Sequence, residues 1–182
     1  MPRIAIPFRD EAHPDAQPVL DAAHKLLGFV PNLHRLMSLS PPALQGWAQL
    51  QAQLAKTLDA KTRDAIALAV SEVDGCDYCL AAHSYIAGNF AKMSPEEIAL
   101  NRQGQSQDPK RGAAAGFARK LIEARGKVAD KDLAAVRAAG FSDGDIVAII
   151  ALSAQFLFTN FMNNVADTDI DFPAVERAQN AA

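Results

Sequence analysis

Only two of the 182 residues are cysteine, Cys76 and Cys79, so no framework of disulfides holds this chain together. A chain of this length buries enough apolar surface to fold without one. Basic residues are scattered rather than clustered. With 18 Lys and Arg against 21 Asp and Glu, the formal charge is −3, which argues against nucleic acid as a partner. Aromatic residues amount to 7%, and tryptophan occurs once, as Trp47. Long apolar runs are missing too. The most apolar stretch, 146–158, is too short to cross a bilayer and is interrupted by Ser153 and Gln155, so it reads as a buried helix of a soluble core and excludes a membrane partner. The N-terminus has no apolar signal segment and carries Asp10 and Glu11, which predicts a cytoplasmic chain. Period-two alternation is nearly absent, with Ile4-Ala5-Ile6 the one weak strand-like piece.

Helical signals fill the rest. Glycine and proline cut the chain into segments of helical length: 16–27 ending at Gly28, 32–39 after Pro31, 43–58 after Ser40-Pro41-Pro42, and 65–73 ending at Asp74-Gly75. A new segment runs from Cys76 to Gly88. Ser94-Pro95-Glu96-Glu97 reads as a cap, a first-turn proline and acidic residues at the positive helix end. Segments 109–126 and 130–139 follow, and Ser142 opens a long apolar helix to about Ala166. The sum is one all-α domain over 1–182, of roughly eight helices, with 1–15 and 168–182 as extended or partly flexible termini. Trp47, Phe156, Phe158 and Phe161 read as core or subunit interface, and His13, His24 and His34 as structural or exposed.

The chemistry sits where the two cysteines fall. In a helix that begins near Cys76, the positions of Cys76, Cys79 and His83 share a face, with His83 one turn beyond Cys79. First-turn amides without acceptors and the positive helix end favour a thiolate, and thiols so placed have pKa values lowered to roughly 3.5–7.5. Attack by one sulfur on an electrophile, then closure of a disulfide between the two, is the chemistry this pattern favours. His83 follows Cys79 by four residues, which makes Cys79 the nucleophile; Cys76, at an exposed helix entrance, becomes the resolving thiol. An imidazole is usually held by a carboxylate, and Asp64, Glu72 and Asp74 are the three on offer. Zinc is the chemical competitor, because Cys76, Cys79 and His83 are plausible ligands. No fourth ligand is evident, so neither a metal nor another cofactor is expected. Covalent haem would need histidine directly after Cys79, where the chain has Leu80.

The run Ala67-Leu68-Ala69-Val70-Ser71-Glu72-Val73-Asp74-Gly75-Cys76-Asp77-Tyr78-Cys79-Leu80-Ala81-Ala82-His83 resembles the core of alkyl hydroperoxidase D-like proteins of the carboxymuconolactone decarboxylase superfamily. Val30-Pro31-Asn32-Leu33 before it, and Asn160-Phe161-Met162-Asn163-Asn164-Val165-Ala166-Asp167-Thr168 with Asp171-Phe172-Pro173 after it, are similar to the peroxidase-related branch. The resemblance implies an all-α fold, assembly into homotrimers or homohexamers, and reduction of peroxide at the expense of a dithiol such as a lipoylated partner. It also implies that the second cysteine is peroxidatic. The family's relay has a glutamate twelve residues before the first cysteine, where this chain has Asp64. Its histidine between the cysteines is replaced here by Tyr78, whose hydroxyl could stand in, and Glu72 is the other source of a carboxylate.

The expectation is therefore a thiol peroxidase acting on hydrogen peroxide or organic hydroperoxides. Cys79 forms a sulfenate and Cys76 closes the disulfide; His83, with Asp64 or Glu72, handles protons, and an external lipoyl or thioredoxin-like dithiol restores the pair. The alternative is a redox-responsive oligomer or disulfide electron carrier without turnover.

Overall fold

Helix boundaries in this protein fall where side chains satisfy backbone groups that a helix end leaves without partners. The structure, a computed structural model, describes residues 2–175, and among these it contains nine α-helices, two short 3-10 turns at Arg9–Glu11 and Pro14–Ala16, and no strand. The helices are α1 (Gln17–Leu27), α2 (Asn32–Met37), α3 (Pro41–Leu54), α4 (Ala60–Val73), α5 (Asp77–Asn89), α6 (Pro95–Arg102), α7 (Pro109–Glu123), α8 (Asp130–Ala138) and α9 (Asp143–Ala166). Asp59 caps α4 by accepting from the Thr62 amide at 3.0 Å, Ser94 caps α6, Asp108 caps α7, and Ser142 and Asp145 cap α9 reciprocally. The all-α expectation holds, with nine helices rather than about eight. Ile4-Ala5-Ile6 is irregular chain and not a strand.

The centre of the fold is α4. Ala65, Ile66, Ala67, Leu68, Ala69 and Val70 are fully buried, and α5, α6, α7 and α9 all pack around this helix. Small residues permit that crowding: Ala65 and Ala69 meet Ala115 of α7, and a Cβ on Gly116 would stand 3.0 Å from the Gly104 carbonyl oxygen.

The longest helix, α9, is long and apolar enough to cross a membrane by length and composition, and it runs further than the apolar stretch 146–158 suggests. Its inner face nevertheless carries Ser153, Gln155, Thr159, Asn160 and Asn163, all buried. Several of these polar groups find partners inside the protein: Ser71 of α4 donates to Asn160 Oδ1 at 3.3 Å, and Gln155 Nε2 donates to Gln51 Oε1 of α3 at 2.7 Å, while Asn160 Nδ2 and Asn163 Oδ1 have none among the described residues.

Both ends of the described residues lie against the helices. Ala12 and Ala16 are buried, and the Arg3 amide donates to the Ala166 carbonyl at 2.7 Å. After α9, Asp171 accepts from the Asn32 amide at 2.7 Å and Phe172 is buried. The expectation of extended or flexible termini at 1–15 and 168–182 falls partly on Met1 and residues 176–182, outside the described residues.

Candidate active site

The turn from α4 to α5 places the two sulfurs. Gly75 has φ +64°, a conformation that side chains disfavour, and it lets the Cys76 amide return to the Ser71 carbonyl at 3.0 Å before α5 begins. Cys76 is the N-cap of α5, and its Sγ accepts from the Cys79 amide at 3.3 Å. The Cys79 Sγ accepts in turn from Asn163 Nδ2 of α9, also at 3.3 Å. Both thiols are free, and both are buried, Cys76 at 0% and Cys79 at 2% exposure.

That burial corrects two expectations. Cys76 is not an exposed helix entrance, because it is buried in one cluster with Leu20, Leu33 and Leu44 of the N-terminal helices and Phe172. The Cys79 thiol is not lowered by the helix end either. Desolvation pushes it well above its ordinary value, the Cys76 sulfur beside it adds to the effect, and the hydrogen bond from Asn163 only partly opposes it. Loss of water outweighs the dipole of one helix turn.

Beside Cys79 lies a cavity of about 90 Å³ walled by His83, His34, Trp47, Phe156, Gln155 and Thr159, among others. It shares His34, Gln51, His83, Gln155 and Phe156 with an outer cavity of about 430 Å³ that reaches Arg63 and Asp64. His83 packs edge-on to Phe156 at 5.1 Å between ring centroids, and burial lowers its pKa to about 4. Burial raises the Asp64 carboxyl to about 7, with Arg63 pulling down and Asp59 pushing up. A carboxyl half-protonated near neutrality, in one cavity with an imidazole, is suited to accept and return a proton.

The two candidate carboxylates part company here. Asp64 lines the cavity with His83, whereas Glu72 accepts from Arg102 Nε of α6 at 2.6 Å. Eight residues at 3.6 per turn leave two side chains about 80° apart around a helix, enough to turn one toward α9 and the other toward α6. Asp74 closes the end of α4 and accepts from Asn164 Nδ2 at 3.3 Å, with its pKa raised by burial. Tyr78 is occupied as well. Its hydroxyl accepts from the Leu33 amide at 3.1 Å, and burial next to Asp171 pushes its pKa up.

Several residues of the site gave no sign around the cysteines. Phe156 belongs to the core and Trp47 packs against core residues, as expected, but both also wall the cavity, and His34 of α2 packs edge-on to Trp47 at 5.1 Å. A signal did exist for α9: Gln155, Thr159 and Asn163 recur every fourth residue in an otherwise apolar helix and mark the face turned to Cys79. His34 had none, since its partner is set by how α2 meets α3. Among the described residues, no group of three or more His, Cys, Asp or Glu side chains could hold a metal ion.

With this geometry in place, the likeness to known proteins is informative. Residues 41–120 match the Carboxymuconolactone decarboxylase family. No curated protein matches the chain by sequence. Among solved structures, the fold is similar to a peroxidase-related protein with an alkylhydroperoxidase AhpD core from Ralstonia eutropha JMP134, at 25% identity and TM-score 0.83, covering 93% of this chain and 92% of that one. It is also similar to a peroxidase-related protein from Silicibacter sp. TM1040, at 22% identity and TM-score 0.79 over 92% and 91% of the two chains. A third likeness, at 22% identity and TM-score 0.79 over 93% and 91%, is to the debrominase Bmp8 in complex with 2,3,4-tribromopyrrole. The matched segment holds the centre of the fold and both cysteines, and the likeness in structure spans nearly the whole chain: residues 41–120 carry the carboxymuconolactone decarboxylase family's segment, within a chain whose fold is alkyl hydroperoxidase D-like.

Proposed function

We propose that the protein is a thiol-dependent peroxidase that reduces hydrogen peroxide or organic hydroperoxides. The observation that carries this reading is the Cys79 sulfur at the wall of a cavity shared with His83, with the Cys76 sulfur against its backbone amide. Cys79 Sγ attacks the distal peroxide oxygen; the S–O bond forms as the O–O bond breaks, and the thiol proton reaches the leaving oxygen by way of Asp64, with His83 donating a hydrogen bond to that oxygen. Cys76 then displaces water from the sulfenic acid to form the disulfide, and an external dithiol, lipoyl or thioredoxin-like, takes over the oxidised state. Peroxide consumption with dihydrolipoamide tests this. Turnover by the wild type and none by Cys79→Ser supports it; rapid disulfide formation without turnover supports a redox-responsive protein or electron carrier instead.

A second reading draws on the aromatic cavity wall and the debrominase likeness: the same thiol pair removing halogen reductively from a small aromatic ring. Bromide release from 2,3,4-tribromopyrrole by the wild type, absent in Cys79→Ser, would favour it. The proposal includes a homotrimer or homohexamer in the cytoplasm. Its support is the exposed apolar stripe of α9, Val147, Ile150, Phe158, Phe161 and Val165, and a monomeric mass at micromolar concentration would refute it.

A further inference from the structure

The Nδ1 atoms of His34 and His83 are both sealed from solvent, and neither has a hydrogen-bond partner among the described residues. A buried polar atom without a partner costs about 1–3 kcal/mol, and such atoms in a native fold call for an explanation. Here both belong to one cavity. His34 comes from α2 and His83 from α5, and the two rings line the space beside Cys79 together with Trp47 and Phe156. With Nδ1 closed off, whatever hydrogen bonding each ring offers the cavity is at Nε2. An unpaired lone pair is tolerated better in the interior than an unpaired N–H, so the sealed Nδ1 keeps the lone pair and Nε2 carries the hydrogen. Burial holds both rings neutral at pH 7.

We propose that His34 is a substrate-binding residue: with His83 it presents a pair of N–H donors to one oxygen of a ligand whose apolar body lies against Trp47 and Phe156. The ligand class is a small aromatic or branched hydrocarbon with a hydroxyl or hydroperoxyl head. In the peroxidase reading, on which the kinetic part of this inference rests, the pair receives the leaving oxygen as the O–O bond breaks. His34 lies outside the matched segment 41–120, so this role belongs to the chain's own N-terminal helices.

Binding can be tested apart from turnover. In Cys79→Ser protein, 2-phenyl-2-propanol, the alcohol corresponding to cumene hydroperoxide, is titrated against the fluorescence of Trp47, the chain's one tryptophan. Cumene, with the same body and no hydroxyl, is the control. His34→Phe should weaken the alcohol at least tenfold and leave cumene within twofold, while His34→Gln, which keeps a donor, should recover most of the loss. Equal losses for both ligands, an unchanged alcohol affinity, or no binding of either overturns the proposal. Should His34→Phe fail to fold, the His34 15N resonances of otherwise unaltered Cys79→Ser protein decide: they shift with the alcohol and not with cumene, and immobile resonances overturn the proposal. In turnover, His34→Phe should lower the preference for cumene hydroperoxide over hydrogen peroxide at least tenfold. Alcohol binding without peroxide turnover would refute the peroxidase reading alone; turnover without alcohol binding would refute the role of His34 alone.

Discussion

Replacing Asp64 by asparagine removes a half-buried charge while keeping the side chain's shape. Burial raises this carboxyl from its ordinary 3.8 to about 7, so between those values the folded chain holds a proton that the unfolded chain has released. Stability therefore falls as pH rises through that window, and above pH 7 the folded state bears the whole cost. Three pH units correspond to about 4 kcal/mol, an upper bound once local relaxation and water access are allowed for. Asp64→Asn should then be about 2–4 kcal/mol more stable than the wild type at pH 8 and within about 1 kcal/mol of it at pH 4, where the folded carboxyl is protonated and the unfolded one is near its midpoint. The two histidines act with the opposite sign. Their values fall from 6.5 to about 4, so each contributes stability that is lost as pH drops from 6.5 toward 4. That contribution is common to both proteins and cancels in their difference. Urea unfolding at pH 4, 6 and 8, followed by Trp47 fluorescence, measures it. A difference independent of pH, or an asparagine variant less stable at pH 8, would falsify the account of Asp64 as a half-buried carboxyl near its midpoint.

Three further outcomes are expected. Asn163→Leu removes the one hydrogen bond that favours the Cys79 thiolate, so iodoacetamide labelling of Cys79 at pH 8 should slow several-fold; an unchanged rate would mean that the contact does not tune the thiol. Glu72→Gln leaves Arg102 without its partner in a pair of which each side chain is only 13% exposed, and should cost about 1–3 kcal/mol in thermal unfolding while Cys79 reactivity stays within twofold. Ala69→Leu, between α4 and α7, adds volume where none is spare; about 1–3 kcal/mol of lost stability should appear, and a neutral result would contradict the tight packing of those helices.

Much of the architecture was legible because helix ends are local chemistry. Asp59, Ser94, Asp108 and Ser142 each satisfy amides within three residues, and Gly28 and Gly75 supply left-handed turns, so boundaries emerge without knowledge of the fold. Where boundaries moved, as in α3 starting at Pro41, proline at the first helical position had extended the helix toward its N-terminus. The burial of one face of α9 came from the same periodicity, whereas the expected count of about eight helices fell short of the nine among the described residues. That α9 presents Gln155, Thr159 and Asn163 to Cys79 was written in its spacing, yet polar residues in an apolar helix do not say what they face.

The local sequence, by itself, determined the helices and set Cys76, Cys79 and His83 along one face of the first half of α5, because a helix relates neighbours three and four apart by geometry alone. Only the tertiary structure decided what surrounds them. It buried both sulfurs, so that desolvation overrode the helix end. It split Asp64 from Glu72 between two neighbouring helices, and it brought His34 and Trp47 to the cavity from segments that share no register with the cysteines. Position along a helix is a property of spacing; proton affinity and company in a cavity depend on which helices exclude water together.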